Sequence, residues 1–401
     1  MPAAAATRGG SRKVELRDGE ARVKPLELFF DLVFVLGFTQ CTALMVHHPT
    51  WEGLAQGVLV LTLLWWSWCG FAWLTSVVDP EEGAVRIALF ASMAALLVVA
   101  LCVPESFGDR ALAFAIAYGL VRVGHLVLFV LASREDPDLR HSVITLAIST
   151  MIGVSLLVAA SFLDGAAQGA MWVAAIVIDY GGPAIFGTGG WRLVPAHFAE
   201  RHGLVIILAL GESIVALGVG AEVGLSAEVI AAAALGIALA SAVWWTYFDV
   251  VSLVTEHRLS TADVGRQQNA LARDSYSYLH LPMVIGIILM AFGLEQTLAH
   301  VDEPLKIVPA FGLLGGVAIY LLAHVGLRLR NAHTLNTQRL VLAIVCLALV
   351  PVAPEIDSLV MLAIVNGLFW AMIVYETSGY GERRYRLRHG LRPEQQQAQS
   401  S

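Results

Sequence analysis

Charge is scarce in this chain: 14% of its 401 residues are Asp, Glu, Lys or Arg, against roughly 25% in soluble domains. Lysine is rarer still, with Lys13, Lys24 and Lys306 the full set. All three fall outside the long apolar stretches, which excludes a retinal protein needing a mid-membrane lysine. Cys41, Cys69, Cys102 and Cys346 each stand alone in an apolar stretch, with no C-x-x-C spacing. Neither a disulfide framework nor a cysteine zinc site is expected, and the four read as small core residues. No G-x-x-x-x-G-K-[ST] loop occurs, so the chain has no nucleotide-driven motor of its own. His197-x-x-Glu200-x-His202 departs from H-E-x-x-H, so one helix cannot present the usual zinc pair. No basic cluster outside the termini suits nucleic acid, and no such partner is expected.

What is abundant is apolar surface. The chain is 57% hydrophobic with a mean hydropathy of +0.71, more than a soluble core of this length can hide. A bilayer as solvent removes the difficulty. Segments near 27–47, 53–77, 84–103, 110–133, 141–163 and 167–188 read as spans, followed by 198–219, 226–250, 270–298, 307–329, 337–353 and 357–378. The eleventh is the shortest. The expected fold is therefore all-α, a polytopic bundle of about twelve spans over 26–378. Residues 1–25 form a basic tail with no signal-peptide pattern, and 379–401 form a second tail. Trp65-Trp66 and Trp244-Trp245 each sit in the second helix of a six-helix half, 26–190 or 197–378. That echo is consistent with two parallel repeats.

Lys and Arg concentrate on the cytoplasmic side of membrane proteins. With the N-terminus inside, 22 of the 25 fall in cytoplasmic segments, Arg110 and Lys306 fall outside, and Arg122 lies within span four. Both termini are thus expected in the cytoplasm, at the plasma (inner) membrane of a bacterium. Reporter tags near Glu222 and Glu303 are expected on the face opposite the termini. A tag at Glu222 on the same face as the N-terminus would break the odd-even assignment.

Ionisable residues inside spans cost about 2.5–3.5 kcal/mol each at mid-bilayer and usually face a protein interior or water. Asp31, His202, Asp249, Arg273, Asp274 and His280 fall in the expected cytoplasmic leaflet, and Arg122, Asp179 and Glu212 near the midplane. Together they describe one polar funnel, open inward, and are the candidate substrate- or ion-binding residues. The competing reading is structural. Glu27, Glu200, Arg201, Asp249 and Arg273 lie near helix ends and can snorkel into headgroups, while Arg122 can form a buried pair with Asp179 or Glu212. His47, His48, His324 and His333 read as interfacial.

Glu27-Leu-Phe-Phe-Asp31-Leu-Val-Phe-Val resembles the opening of the bacterial low-temperature-requirement A family. So do His197-Phe-Ala-Glu200-Arg-His202-Gly203, Leu-Gly211-Glu212-Ser213, Trp244-Trp245-Thr-Tyr-Phe-Asp249 and Asp274-Ser-Tyr-Ser-Tyr-Leu-His280-Leu-Pro282. The resemblance runs from about residue 25 to 295 and implies a many-span inner-membrane protein. It carries over no catalytic residue.

A secondary transporter of an ion or small molecule, coupled to protons through intramembrane carboxylates, is the first functional reading. Glu212 is its expected proton or cation site. An ion channel is the second, on a faint likeness of the Phe30-Asp31 pair to a lysosomal potassium-channel signature. An intramembrane enzyme is the third, and no enzymatic activity is expected. No cofactor is expected either; a bis-histidine haem would have His125 and His280 as its inward candidates. The partners are the lipid bilayer and an unidentified small molecule or ion, and the bundle is compatible with a homo-oligomer.

Overall fold

Prolines and capping side chains start the helices where the sequence leaves its loops. Pro25, Pro137 and Pro195 occupy first turns, where the missing N–H costs nothing. The Thr50, Ser226 and Asn336 side chains accept from Gly53, Val229 and Arg339 backbone N–H groups. The computed structural model describes residues 22–81, 83–134, 136–185 and 189–379. Most of the two expected tails, 1–25 and 379–401, lies outside the described residues.

The helices are α1 (Pro25–His47), α2 (Trp51–Thr75), α3 (Gly83–Cys102), α4 (Ala111–Ala132), α5 (Pro137–Ala160), α6 (Gly165–Ile185), α7 (Pro195–Gly220) and α8 (Ala227–Phe248). There follow α9 (Val251–Ser260), α10 (Arg266–Leu271), α11 (His280–Ala299), α12 (Ile307–Ala310), α13 (Gly316–Ala332), α14 (Thr337–Leu349) and α15 (Ser358–Gly379). A π-helical segment, Ala272–Tyr278, fuses α10 to α11, and another, Phe311–Gly315, fuses α12 to α13. Among the described residues no strand occurs, and ten continuous helices are long and apolar enough to cross a membrane. Helix α6, diluted by Gln168 and Asp179, and the short α14 complete the expected twelve. At about 1.5 Å per residue α14 reaches about 20 Å, two-thirds of a ~30 Å hydrocarbon core; a 3₁₀ turn at Ala353–Glu355 lies beyond it. The stretch 251–269 falls between two of the expected spans. It folds into α9, which packs on α7 and α8, and the short α10.

Helix α11 is the central strut, packed against α1, α2, α7, α8, α13 and α15. Its approach to α13 leaves no room for side chains. A Cβ on Gly286 would lie 2.6 Å from the Gly316 carbonyl, and one on Gly293 would overlap the Leu313 backbone. Small residues of this kind let membrane helices touch. At the rim, Ile87, Ile116, Leu120, Ile148, Val177 and Ile214 are exposed, an apolar perimeter suited to acyl chains. The two tryptophan pairs occupy different environments. Trp65 and Trp66 are buried, whereas Trp244 and Trp245 are 45% and 36% exposed. All four cysteines are free and buried.

Candidate functional site

Glu27 and Asp31 stand one turn apart on α1, and His197 and Arg201 one turn apart on α7, so each helix presents a two-residue charged face. The faces meet. His197 Nε2 lies 2.9 Å from Glu27 Oε1, and Arg201 donates to Glu27 Oε1 at 3.0 Å and to Asp31 Oδ1 at 2.7 Å. Helix α2 closes the site: Trp68 Nε1 donates to Asp31 Oδ1 at 2.9 Å, and Thr75 Oγ1 accepts from Arg201 at 3.3 Å. Every charged member is at most 1% exposed. The expectation that Glu27 and Arg201 reach into headgroups is therefore corrected: they fold inward because each finds a partner across the helix interface, which lifts much of the desolvation cost.

Beyond Trp68 an aromatic and imidazole column continues inward. His202 meets Trp68 edge-on at 4.9 Å between centroids, Tyr276 at 5.0 Å and His280 at 5.3 Å. Tyr247 OH lies 2.9 Å from His280 Nε2, and its ring is 6.3 Å from His324. His202, His280 and His324 share one arrangement. In each, Nδ1 lies 2.8–3.0 Å from a backbone carbonyl, of Phe198, Ser275 and Tyr320 respectively. Those carbonyls can only accept, so Nδ1 carries the hydrogen and Nε2 presents a lone pair to the interior. Among the described residues the Nε2 atoms of His202 and His324 have no hydrogen-bond partner. His324, expected at the interface, is 2% exposed because α13 turns it toward Tyr247. The π segment underlies this column: its widened turns aim the Ser277 carbonyl at Trp65 Nε1 (2.8 Å) and the Ser277 hydroxyl at Trp73 Nε1 (3.0 Å).

A second cluster joins α4, α5 and α6. Arg122 donates to Asp179 Oδ1 at 3.1 Å and to Thr150 Oγ1 at 2.8 Å, and Thr150 in turn donates to Asp179 at 2.7 Å. Of its two candidate partners Arg122 meets Asp179 and not Glu212.

Glu212 stands apart, about 12 Å from the far end of α7 at 1.5 Å per residue. It is 1% exposed, and Thr39 of α1 donates to its Oε2 at 2.6 Å. No ion pair to it occurs among the described residues. Glu295 of α11 lies within electrostatic reach of it.

Arg273 and Asp274 pair with each other at 2.7 Å, and Arg330 reaches the other Asp274 oxygen at 3.0 Å. Asp249 caps α8 and lines a cavity of about 440 Å³ with Thr246, His324, Arg328, Asn336 and Arg339. The nine sequence-chosen residues thus do not form one funnel. Asp31, His202 and His280 share a column, Arg122 and Asp179 a pair, Arg273 and Asp274 a rim, while Asp249 and Glu212 stand in separate places. Thr39, Trp68 and Tyr247 escaped the sequence reading, since a lone hydroxyl or ring in an apolar helix looks like core. From sequence Arg201 reads as a helix-end charge, although its spacing from His197 matches that of Glu27 and Asp31.

An uncharacterized protein of Rhizobium meliloti (strain 1021) is 29% identical over 309 residues, 74% of each chain. No solved structure matches the chain. The sequence model described as bacterial low temperature requirement A protein (LtrA) matches residues 22–374, which spans every helix up to α15. This multi-pass membrane protein belongs to the LtrA family.

Proposed function

We propose that the protein is a secondary transporter of an ion or small molecule, coupled to protons, in the bacterial inner membrane with both termini cytoplasmic. The observation that carries the reading is Glu212. Asp31 and Asp179 each have an arginine, whereas Glu212 is as deeply buried with a hydroxyl as its hydrogen-bond partner. A buried carboxylate without a fixed cation takes its counter-charge from something mobile, a proton or a cation. Thr39 holds the carboxylate between α1 and α7, two helices that the Glu27–Arg201–Asp31 cluster locks together some three turns away. The ~440 Å³ cavity near His324 has the size and mixed polar lining of a small-molecule vestibule.

Reconstitution into liposomes holding a pH-sensitive dye, with a pH gradient imposed, tests this. Candidate ions and metabolites are added one at a time. Saturable dissipation that depends on both gradient and solute is expected for one solute class, and Glu212→Gln is expected to remove the pH dependence while leaving folded protein. Passive flux that does not saturate favours the channel instead. A Glu212→Gln variant with an unchanged pH response removes Glu212 from the mechanism.

A further inference from the structure

Most polar groups in the wall of the ~440 Å³ cavity already bond within the protein. Thr246 and Thr255 each donate to a carbonyl one turn back, of Ala242 and Val251. Asn331 accepts from Ser275 through its side chain and from Arg258 through its backbone carbonyl. Arg339 holds Glu376 with two bonds of 3.1 and 3.0 Å, and Asn336 adds a third at 3.3 Å. Asp249 is engaged as well. What the wall still offers a ligand is hydrocarbon, from Val250, Val251, Val254, Leu327 and Ile373, and one guanidinium, that of Arg328. Arg328 is exposed, and its Nε donates to Thr334 Oγ1 at 3.0 Å. Among the described residues it forms no ion pair, so the four N–H groups on its terminal nitrogens stay available.

The position of the cavity fits the same chemistry. Its walls come from one end of the bundle, where α8, α13 and α15 finish and α14 begins, with α9 closing one side. Trp245 belongs to the wall and is 36% exposed beside Trp244, which makes the cavity continuous with the apolar perimeter at an aromatic rim. Such rims sit at the headgroup level of a bilayer. We propose that the cavity seats one phospholipid of the leaflet at this end, with an acyl chain against α8, α9 and α15 and its phosphodiester on Arg328. A guanidinium matches a phosphate with two parallel N–H bonds, and basic pockets between membrane helices hold headgroups in this way. A wholly polar solute would leave the hydrocarbon wall wet, and a wholly apolar one would leave Arg328 unanswered. An exposed arginine at a helix end meets headgroups in any membrane protein; the cavity beneath this one is what singles out a particular lipid.

The binding is read without transport and stands whether or not the protein moves a solute. Purified full-length protein, stripped of lipid in detergent, is melted with added dioleoylphosphatidylglycerol, dioleoylglycerol or glycerol 3-phosphate at a fixed micelle concentration. The phospholipid is expected to raise the midpoint saturably. Dioleoylglycerol, which lacks the phosphate, and glycerol 3-phosphate, which lacks the chains, are not. Arg328→Gln is expected to weaken the apparent phospholipid affinity about tenfold, equivalent to ~1.4 kcal/mol. Arg140→Gln, at an exposed arginine outside the cavity, is expected to leave it unchanged. Val254→Trp, which fills the cavity from α9, is expected to weaken it in the same direction as Arg328→Gln. A wild type that responds equally to phospholipid and dioleoylglycerol, or to neither, would overturn the proposal. So would an Arg328→Gln variant that binds as tightly as Arg140→Gln, because the lipid would then be held by the perimeter at large.

Discussion

Arg201→Leu is expected to leave little or no monodisperse protein after extraction, a loss of about 3–5 kcal/mol. Removing the one arginine leaves the Glu27 and Asp31 carboxylates facing each other in an interior from which they are barely exposed. An uncompensated buried charge carries a penalty of that size, whereas the intact pair contributes little net stability. The same logic predicts rescue. In the triple variant Glu27→Gln, Asp31→Asn, Arg201→Leu the charges disappear together, and recovery by size-exclusion chromatography should return most of the way toward wild type. If Arg201→Leu alone melts like the wild type, the cluster is solvated in the membrane and this account of it fails.

Asp179→Leu is the second large effect, again about 3–5 kcal/mol. It strands the Arg122 guanidinium, which is 1% exposed, and removes the acceptor that Thr150 uses. Arg122→Met alone should cost a similar amount by stranding Asp179. The double variant should cost much less than the sum, since replacing both partners of a buried pair with apolar groups is often neutral or favourable. A double-mutant cycle on melting midpoints reads the coupling directly. Additive losses would mean that Arg122 and Asp179 are not a pair in the membrane.

The spans were legible because their cause is local. About twenty apolar residues between loop signals are a property of a stretch of chain, and α1 to α8 begin and end within a few residues of the sequence reading. What escaped was set by neighbours. Glu27 and Arg201 look like helix-end charges until α7 is laid against α1. His324 looks interfacial until α13 is rotated onto α8 by its glycine contact with α11. The column from Trp68 to His324 draws on α2, α7, α8, α11 and α13, and no linear spacing encodes it. The π segment was invisible for a related reason: one extra residue per turn leaves the apolar composition of 270–298 unchanged while rotating Ser277 toward Trp65 and Trp73. Arg122 gave the clearest sequence signal, a guanidinium at the centre of an apolar helix, and the structure supplies the choice between two acids.

The tie between Glu27 and Arg201 spans 174 positions of sequence, and that separation is also an interval of time. Chains grow at about 5–20 residues per second, so α1 is made roughly 10–35 s before the arginine that neutralises it. For that interval two carboxylates, one turn apart on the first span, have no Arg201 to meet. Until α7 is made, the acidic face of α1 lacks the arginine that neutralises it in the finished bundle.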